Sequence, residues 1–191
     1  MIQFELDYAL DFHQHWLRDR RFGRRADFTG RTLADLNIKY KDLSGAVLDG
    51  ANLHRCDISN SNLTDVTANS AHFDSVDFTD TNLKNAHLQD ALFTNCTMER
   101  TDLWNVLGNG TQLITLQIGG RHVIYTSEIL QINCKQFELD KVWWMSEDDL
   151  LHRLRGDGHT KEEKEVMVAW WDRWKTEIYQ IINKNPATSI K

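Results

Sequence analysis

At 191 residues with a formal net charge of −6, the chain is long enough to bury a core and too acidic for general nucleic-acid binding. With 41% apolar residues but no apolar run of membrane-spanning length and no basic-then-apolar start, neither a transmembrane helix nor a signal peptide is expected, so the cytoplasm is the expected compartment. Cys56, Cys96 and Cys134 are odd in number and lack CxxC spacing, which argues against a disulfide framework or a zinc site of that kind.

Residues 1–23 read as an N-terminal cap. The stretch "MIQFELDYALDF" alternates Phe4, Leu6, Tyr8, Leu10 and Phe12, which predicts a strand followed by a short helix, although Tyr8, Phe12 and Trp16 also share a helix face. "RDRRFGRR" gathers Arg18, Arg20, Arg21, Arg24 and Arg25. It reads as a helix C-terminus closed at Gly23, where cations suit the dipole, or as a holder for phosphate or an acidic partner, with Arg20 and Arg21 as candidate contacts. His13 and His15 form a lone HxH, too little for a metal site.

From residue 24 the pattern changes to a period of five, which belongs to neither a helix nor a half-buried strand. Phe28, Leu33, Ile38, Leu43, Leu48, Leu53, Ile58, Leu63, Ala68, Phe73, Phe78, Leu83, Leu88, Phe93, Met98 and Leu103 follow one phase, and all but Ala68 are large. Two residues before each runs a second, mostly small series: Ala26, Ala46, Ala51, Cys56, Ser61, Ala71, Thr81, Ala86, Ala91, Cys96, Thr101. The remaining positions are polar. Repetition this dense outranks local propensity.

The strings "ADF", "GAVLDGANL", "SNSNL", "DTNLKNAHL" and "RTDLW" resemble the A(D/N)Lxx unit of the pentapeptide repeat family over residues 24–105. The resemblance implies a mainly β fold: a right-handed, four-sided parallel β-helix of about four coils, twenty residues each. Leu48, Leu53, Ile58, Leu63, Phe73, Phe78, Leu83, Leu88 and Phe93 are then its inward core. Columns twenty apart have their own character; Ala26, Ala46, Val66 and Ala86 make one, and the undersized Ala68 follows the oversized Val66. In the first coil Arg31, Leu36 and Lys41 replace small inward residues, as a terminal coil permits if they escape toward a cap or water. Cys56 and Cys96 share a column two coils apart, roughly 9–10 Å, too far for a disulfide. Asp57 stacks on Asp77 and Asn62 on Asn82; such side chains bond nearby backbone more readily than they hold a cation.

After Leu103 a C-terminal α+β module, 106–191, begins. "QLITLQIGGRHVIYTSEILQINC" predicts a three-stranded antiparallel meander turning at Gly119-Gly120 and Ser127-Glu128, pairing Leu116 with Val123, Ile114 with Tyr125, Tyr125 with Leu130 and Val123 with Ile132. Its apolar face is to be buried by two helices, one starting at Ser146 and one capped by Thr160 and Glu163 and ending near Asn183. On the second, Met167, Trp170, Trp171, Trp174, Ile178 and Ile181 share a stripe. The tail strings "LQINC", "VWWMSEDDL" and "WWDRWK" are similar to the C-terminal region of short pentapeptide repeat proteins of phages and prophages.

No Walker loop, HExxH, GxSxG or dinucleotide fingerprint is present, and "GDGH" at 156–159 reads as a loop. His122 and Cys134 fall on neighbouring strands but on opposite faces. The expectation is therefore a non-enzymatic protein without cofactor or metal, a phage-type inhibitor or modulator that binds a bacterial host protein. Trp143, Trp144, Trp171 and Trp174 are the candidate contacts beside the arginines, and homo-oligomerisation through the tail is possible. Imitation of DNA toward a topoisomerase is the alternative: four coils span about 19 Å, where duplex DNA presents about eleven charges, whereas residues 42–102 have ten acidic residues against three basic ones. An enzyme built on the tail is the weakest reading.

Overall fold

The computed structural model describes residues 1–118, 121–132, 135–153 and 160–188. Its elements in chain order are helix α1 (Gln3–Arg18), short strands β1 (Thr32–Ala34), β2 (Asn52–His54), β3 (His72–Asp74) and β4 (Leu92–Thr94), then β5 (Ile114–Ile118), β6 (Arg121–Tyr125), β7 (Ile129–Ile132) and β8 (Lys135–Glu138). Helices α2 (Leu139–Val142), α3 (Glu147–Arg153) and α4 (Lys161–Lys184) complete the chain.

The period of five becomes a stack with a period of twenty. Strands β1 to β4 pair in parallel with Leu33 on Leu53, Phe73 and Phe93. Isolated parallel bridges with the same offset run through Asp27, Val47, Thr67, His87 and Leu107, through Asn37, Asp57, Asp77 and Thr97, and through Asp42, Asn62, Asn82 and Asp102. Successive five-residue units thus contribute rungs to four ladders in turn. The central residues named above are buried, as are their small partners. Phe73 stacks on Phe93 at 4.9 Å and meets Phe78 edge-on at 5.2 Å. Where the small position is polar, it bonds back across one coil: Ser61, Thr81 and Thr101 hydroxyls donate to the carbonyls of Ile38, Ile58 and Phe78 at 2.7, 3.0 and 2.8 Å.

The corner between sides needs a left-handed residue. From Gly30 to Asn105 every fifth residue has positive φ, between 49° and 68°. Gly, Asn and Asp hold most of these corners, the types that tolerate this region best; Tyr40, Arg55 and Arg100 hold it at a cost. On two of the four ladders an Asp or Asn before the central position steadies the next turn, as Asp57 Oδ1 does by accepting from Ser59 N at 3.1 Å and Asn62 Oδ1 from Thr64 N at 3.2 Å.

The N-terminal segment is a helix, not the predicted strand. Leu6, Leu10 and His13 lie on one face of α1 and are buried against the first coil, while Phe4, Tyr8 and Phe12 stand on the exposed face. The alternation was a coincidence of two helical stripes, each spaced by four. Arg31 and Lys41 do turn outward, Lys41 reaching Asp7 at 3.4 Å, but Leu36 stays buried under the cap.

The cap also answers the backbone groups that a first coil leaves unpaired. Gln3 accepts from Asn37 N–H at 2.9 Å and donates to Asn37 O at 3.0 Å, so its amide replaces the missing strand. Met1 N donates to Thr32 O, Gln14 to Asp42 O, and Ala26 N–H to His13 Nδ1. Burial lowers the His13 pKa, against an opposing pull from Asp42. At the other end Gln112 repeats the device on Phe93, accepting from N–H at 2.9 Å and donating to O. Gln131 accepts from Leu103 N–H, and Gln136 and Asn109 donate to the carbonyls of Thr101 and Ala91.

The tail sheet has four antiparallel strands rather than three, in the order β5-β6-β7-β8, with the four predicted cross-strand pairs in register. The fourth strand, β8, follows β7 after residues 133–134, which with Cys134 and the Gly119-Gly120 turn lie outside the described residues. Both faces of the sheet are used. Val123, Tyr125, Leu130, Ile132 and Phe137 join α4 in one core, whereas Ile124 joins the core of the repeats and Gln131 bonds their last coil. Among the described residues three helices, not two, follow the strands, and α4 carries the predicted Thr160–Glu163 capping box.

Candidate interaction surface

The aromatic residues singled out in the tail divide by depth. Trp171 is buried, 4% exposed, so it belongs to the core and is no contact in its own right. Trp143 stacks on it at 5.7 Å and meets Tyr179 edge-on at 5.2 Å. Trp144, next in sequence, is 87% exposed. Trp174 is half-buried, its ring covered by the Arg173 guanidinium at 4.8 Å. Trp143, Trp171 and Tyr179 thus form one aromatic cluster, and the exposed Trp144 follows it directly in the chain.

Arg20 and Arg21 lie at the other end of the molecule, beyond α1. Arg20 rests over Trp16 at 5.1 Å, and Arg21 makes a paired contact with Asp19, Nε to Oδ1 at 3.0 Å and Nη2 to Oδ2 at 2.6 Å. The Arg21 hydrogen bonds hold the Asp19 carboxyl below its usual range. The four coils separate these arginines from the tail, so the sequence-selected contacts form two surfaces, not one. Beside α1 an open groove of about 890 Å³ is lined by Tyr8, Phe12, Arg24, Arg25, Asp27 and Arg31 among others.

Some of the carboxylates on the repeats are paired with neighbouring cations. Arg55 pairs with Asp35 at 2.6 Å, Lys39 with Asp57 at 3.2 Å, Lys84 with Asp102 at 3.1 Å and Arg100 with Asp80 at 2.6 Å. The guanidinium hydrogen bonds lower the pKa of Asp35 and Asp80. His54 Nδ1 lies 2.8 Å from Asp74, and Ser75 donates to the same carboxylate at 3.0 Å. The hydroxyl faces the carboxylate and not the imidazole, so the three do not form a nucleophile–base relay. His13 is buried and His15 exposed, on opposite sides of α1, which prevents chelation by the HxH. Among the described residues no cluster of three or more His, Cys, Asp or Glu could hold a metal. Burial raises both buried thiols, Cys96 to about 11. Cys134, and with it the His122–Cys134 pairing, and "GDGH" lie outside the described residues. The arrangement offers surfaces for contact, and the described side chains no reaction centre.

A family profile described as Pentapeptide repeats matches residues 24–65 and 71–106 in eight copies. Similar solved structures include a pentapeptide repeat protein from the Arabidopsis thaliana thylakoid lumen, 20% identical over 44% of this chain and 65% of that one, with a TM-score of 0.27. One from the cyanobacterium Cyanothece 51142 is 27% identical over 42% and 58%, TM-score 0.24. QnrB1, a plasmid-mediated fluoroquinolone resistance protein, is 12% identical over 48% and 64%, TM-score 0.21. The chain thus spans under two thirds of the length of these relatives. No curated protein matches it. No helix among the described residues is long and apolar enough to cross a membrane.

Proposed function

We propose that this protein is a non-enzymatic interaction protein of phage or prophage type, which binds a bacterial host protein in the cytoplasm and modulates it. The repeats, read as a right-handed quadrilateral rod over residues 24–105, are the rigid scaffold. The N-terminal cap covers 1–23 and the tail, 106–191, carries recognition. Exposure of Trp144, next in sequence to Trp143 of the Trp143–Trp171–Tyr179 cluster, carries this reading. An exposed tryptophan brings a large apolar area and only two side-chain torsions to order on binding, the profile of an interface anchor.

Mimicry of DNA toward a topoisomerase fits less well, because a mimic needs open rows of charge and Asp35, Asp57, Asp80 and Asp102 each lie against a cation. The discriminating experiment is capture from bacterial host lysate with immobilised full-length protein and its Trp144→Ala variant. A host protein retained by the parent and released by the variant, with unchanged circular dichroism, is the expected result. Retention equal on both surfaces overturns the tail as the binding element.

A further inference from the structure

Twelve large apolar side chains stand exposed among the described residues, and five of them, Ile2, Phe4, Tyr8, Phe12 and Phe22, fall within the first 22 residues. Phe4, Tyr8 and Phe12 recur every four residues along α1 and touch as a ladder, with ring centroids 6.5 and 4.9 Å apart. The opposite face of the helix is committed to the first coil, so the ladder contributes nothing to the cap. Phe22 extends the patch from a loop that folds back on α1: Arg24 N–H bonds Phe12 O at 3.1 Å. Gly23 makes that approach possible, since it sits at φ 79° and a Cβ there would lie 2.3 Å from Phe12 O.

Charge along this surface is split. Residues 3–11 contain Glu5, Asp7 and Asp11 and no Lys or Arg; Asp7 is paired with Lys41 of the first coil, which leaves Glu5 and Asp11 as the open acids. Residues 15–25 contain Arg18, Arg20, Arg21, Arg24 and Arg25 against Asp19, which Arg21 pairs. A nucleic acid or an acidic peptide laid along the ladder would meet repulsion at one end, and a basic peptide at the other. An antiparallel copy of the same surface meets neither: its basic end lies over the acidic half and its acidic half over the basic end. Two-fold symmetry supplies that arrangement, because one patch then serves both partners.

We propose that the aromatic face of α1 with its arginine loop is the self-association surface of this protein, taking a second copy of the chain in an antiparallel, two-fold dimer. The proposal is independent of the role given to the tail and leaves Trp144 free in both copies.

Sedimentation velocity on the full chain tests it. At about 10 µM the protein should run as a dimer of 22.3 kDa chains, the affinity range of a modest interface. Phe4→Ser with Tyr8→Ser should leave a monomer with unchanged helical signal, since both rings are exposed; Trp144→Ala should leave the dimer intact. Reversing the acids (Glu5→Lys with Asp11→Lys) or the bases (Arg20→Glu with Arg24→Glu) should each weaken association at least about tenfold. Mixing the two reversed chains should restore it, because only the mixed pair recovers both contacts. A chain that stays monomeric to about 100 µM overturns the proposal, whether or not its aromatic face then binds a single-stranded oligonucleotide or polyglutamate. So does a dimer that Trp144→Ala abolishes and the α1 variants do not.

Discussion

The repeats and the tail bury their apolar residues by different rules. In the repeats each side chain meets those five residues away around the coil and twenty residues away along the stack, so Phe73 touches Phe78 and Phe93. In the tail, Tyr125 on β6 reaches the backbone of Asn185, sixty residues on, through a 2.7 Å hydrogen bond. The first region is nearly one-dimensional, and damage to it should stay local; the second closes over long loops and should fail as a unit. The teaching is that one chain joins the two by making the sheet of the tail serve both, with Ile124 on one face and Val123 and Tyr125 on the other.

That contrast can be broken most forcefully at Phe73. Phe73→Ala should cost about 4 kcal/mol in denaturant unfolding, and hydrogen exchange should quicken in the coils beside it while α4 keeps its protection. Equal loss of protection in α4 would mean that the chain behaves as one cooperative block. A smaller effect is expected at the junction. Gln112→Ala strips the Phe93 peptide of both bonds in a buried site and should cost about 2–3 kcal/mol. Gln3→Ala, at the exposed opposite end, should cost about 1 kcal/mol, and the two values can be read from the same denaturation series. A Gln112 effect no larger than the Gln3 effect would show that the junction is as wet as the free end.

The smallest effect concerns acid. Burial lowers the His13 pKa below the ordinary 6.5, and its neutral Nδ1 accepts the Ala26 N–H. The unfolded chain binds the proton more readily, so this contribution is complete above pH 6.5 and declines as pH falls from there toward the lower folded value. Thermal melts across that window should show a slope that His13→Gln removes; an unchanged slope would assign it to other groups.

The repeat core was legible because its pattern is redundant: Leu48, Leu53, Ile58 and Leu63 each say the same thing, and a twenty-residue offset follows from them. The corners were not read. Gly30, Gly45 and Gly50 with Asn60, Asn85 and Asn95 mark the left-handed position every fifth residue, but Tyr40 and Arg55 in the same series hide it. For α1, Phe4, Leu6, Tyr8, Leu10 and Phe12 satisfy a strand by alternation and a helix by fours, and only the presence of a coil to cover decides. In the tail the pairing of β5, β6 and β7 was fixed by alternation, whereas β8, with a single buried aromatic, Phe137, gave no comparable signal. Of the candidate contacts, the depth of Trp171 against Trp144 could not be read from composition, since both are tryptophans beside another tryptophan. The exposure of Phe4, Tyr8 and Phe12 was not legible for the same reason, since an alternating strand sets them on one face with Leu6 and Leu10 on the other and does not say which face is covered.

The amide pairs at the two ends separate how the stack terminates from how long it is. Gln3 and Gln112 recognise a peptide group, which every coil offers in the same place, and neither reads what lies between. Duplication of twenty residues, 51–70 for example, would lengthen the rod by one strand spacing, about 4.8 Å, and leave both terminations chemically as they are. Growth of such a gene is therefore quantised: lineages can change the reach between their two ends in whole coils, like adding links to a chain whose clasps never need recutting.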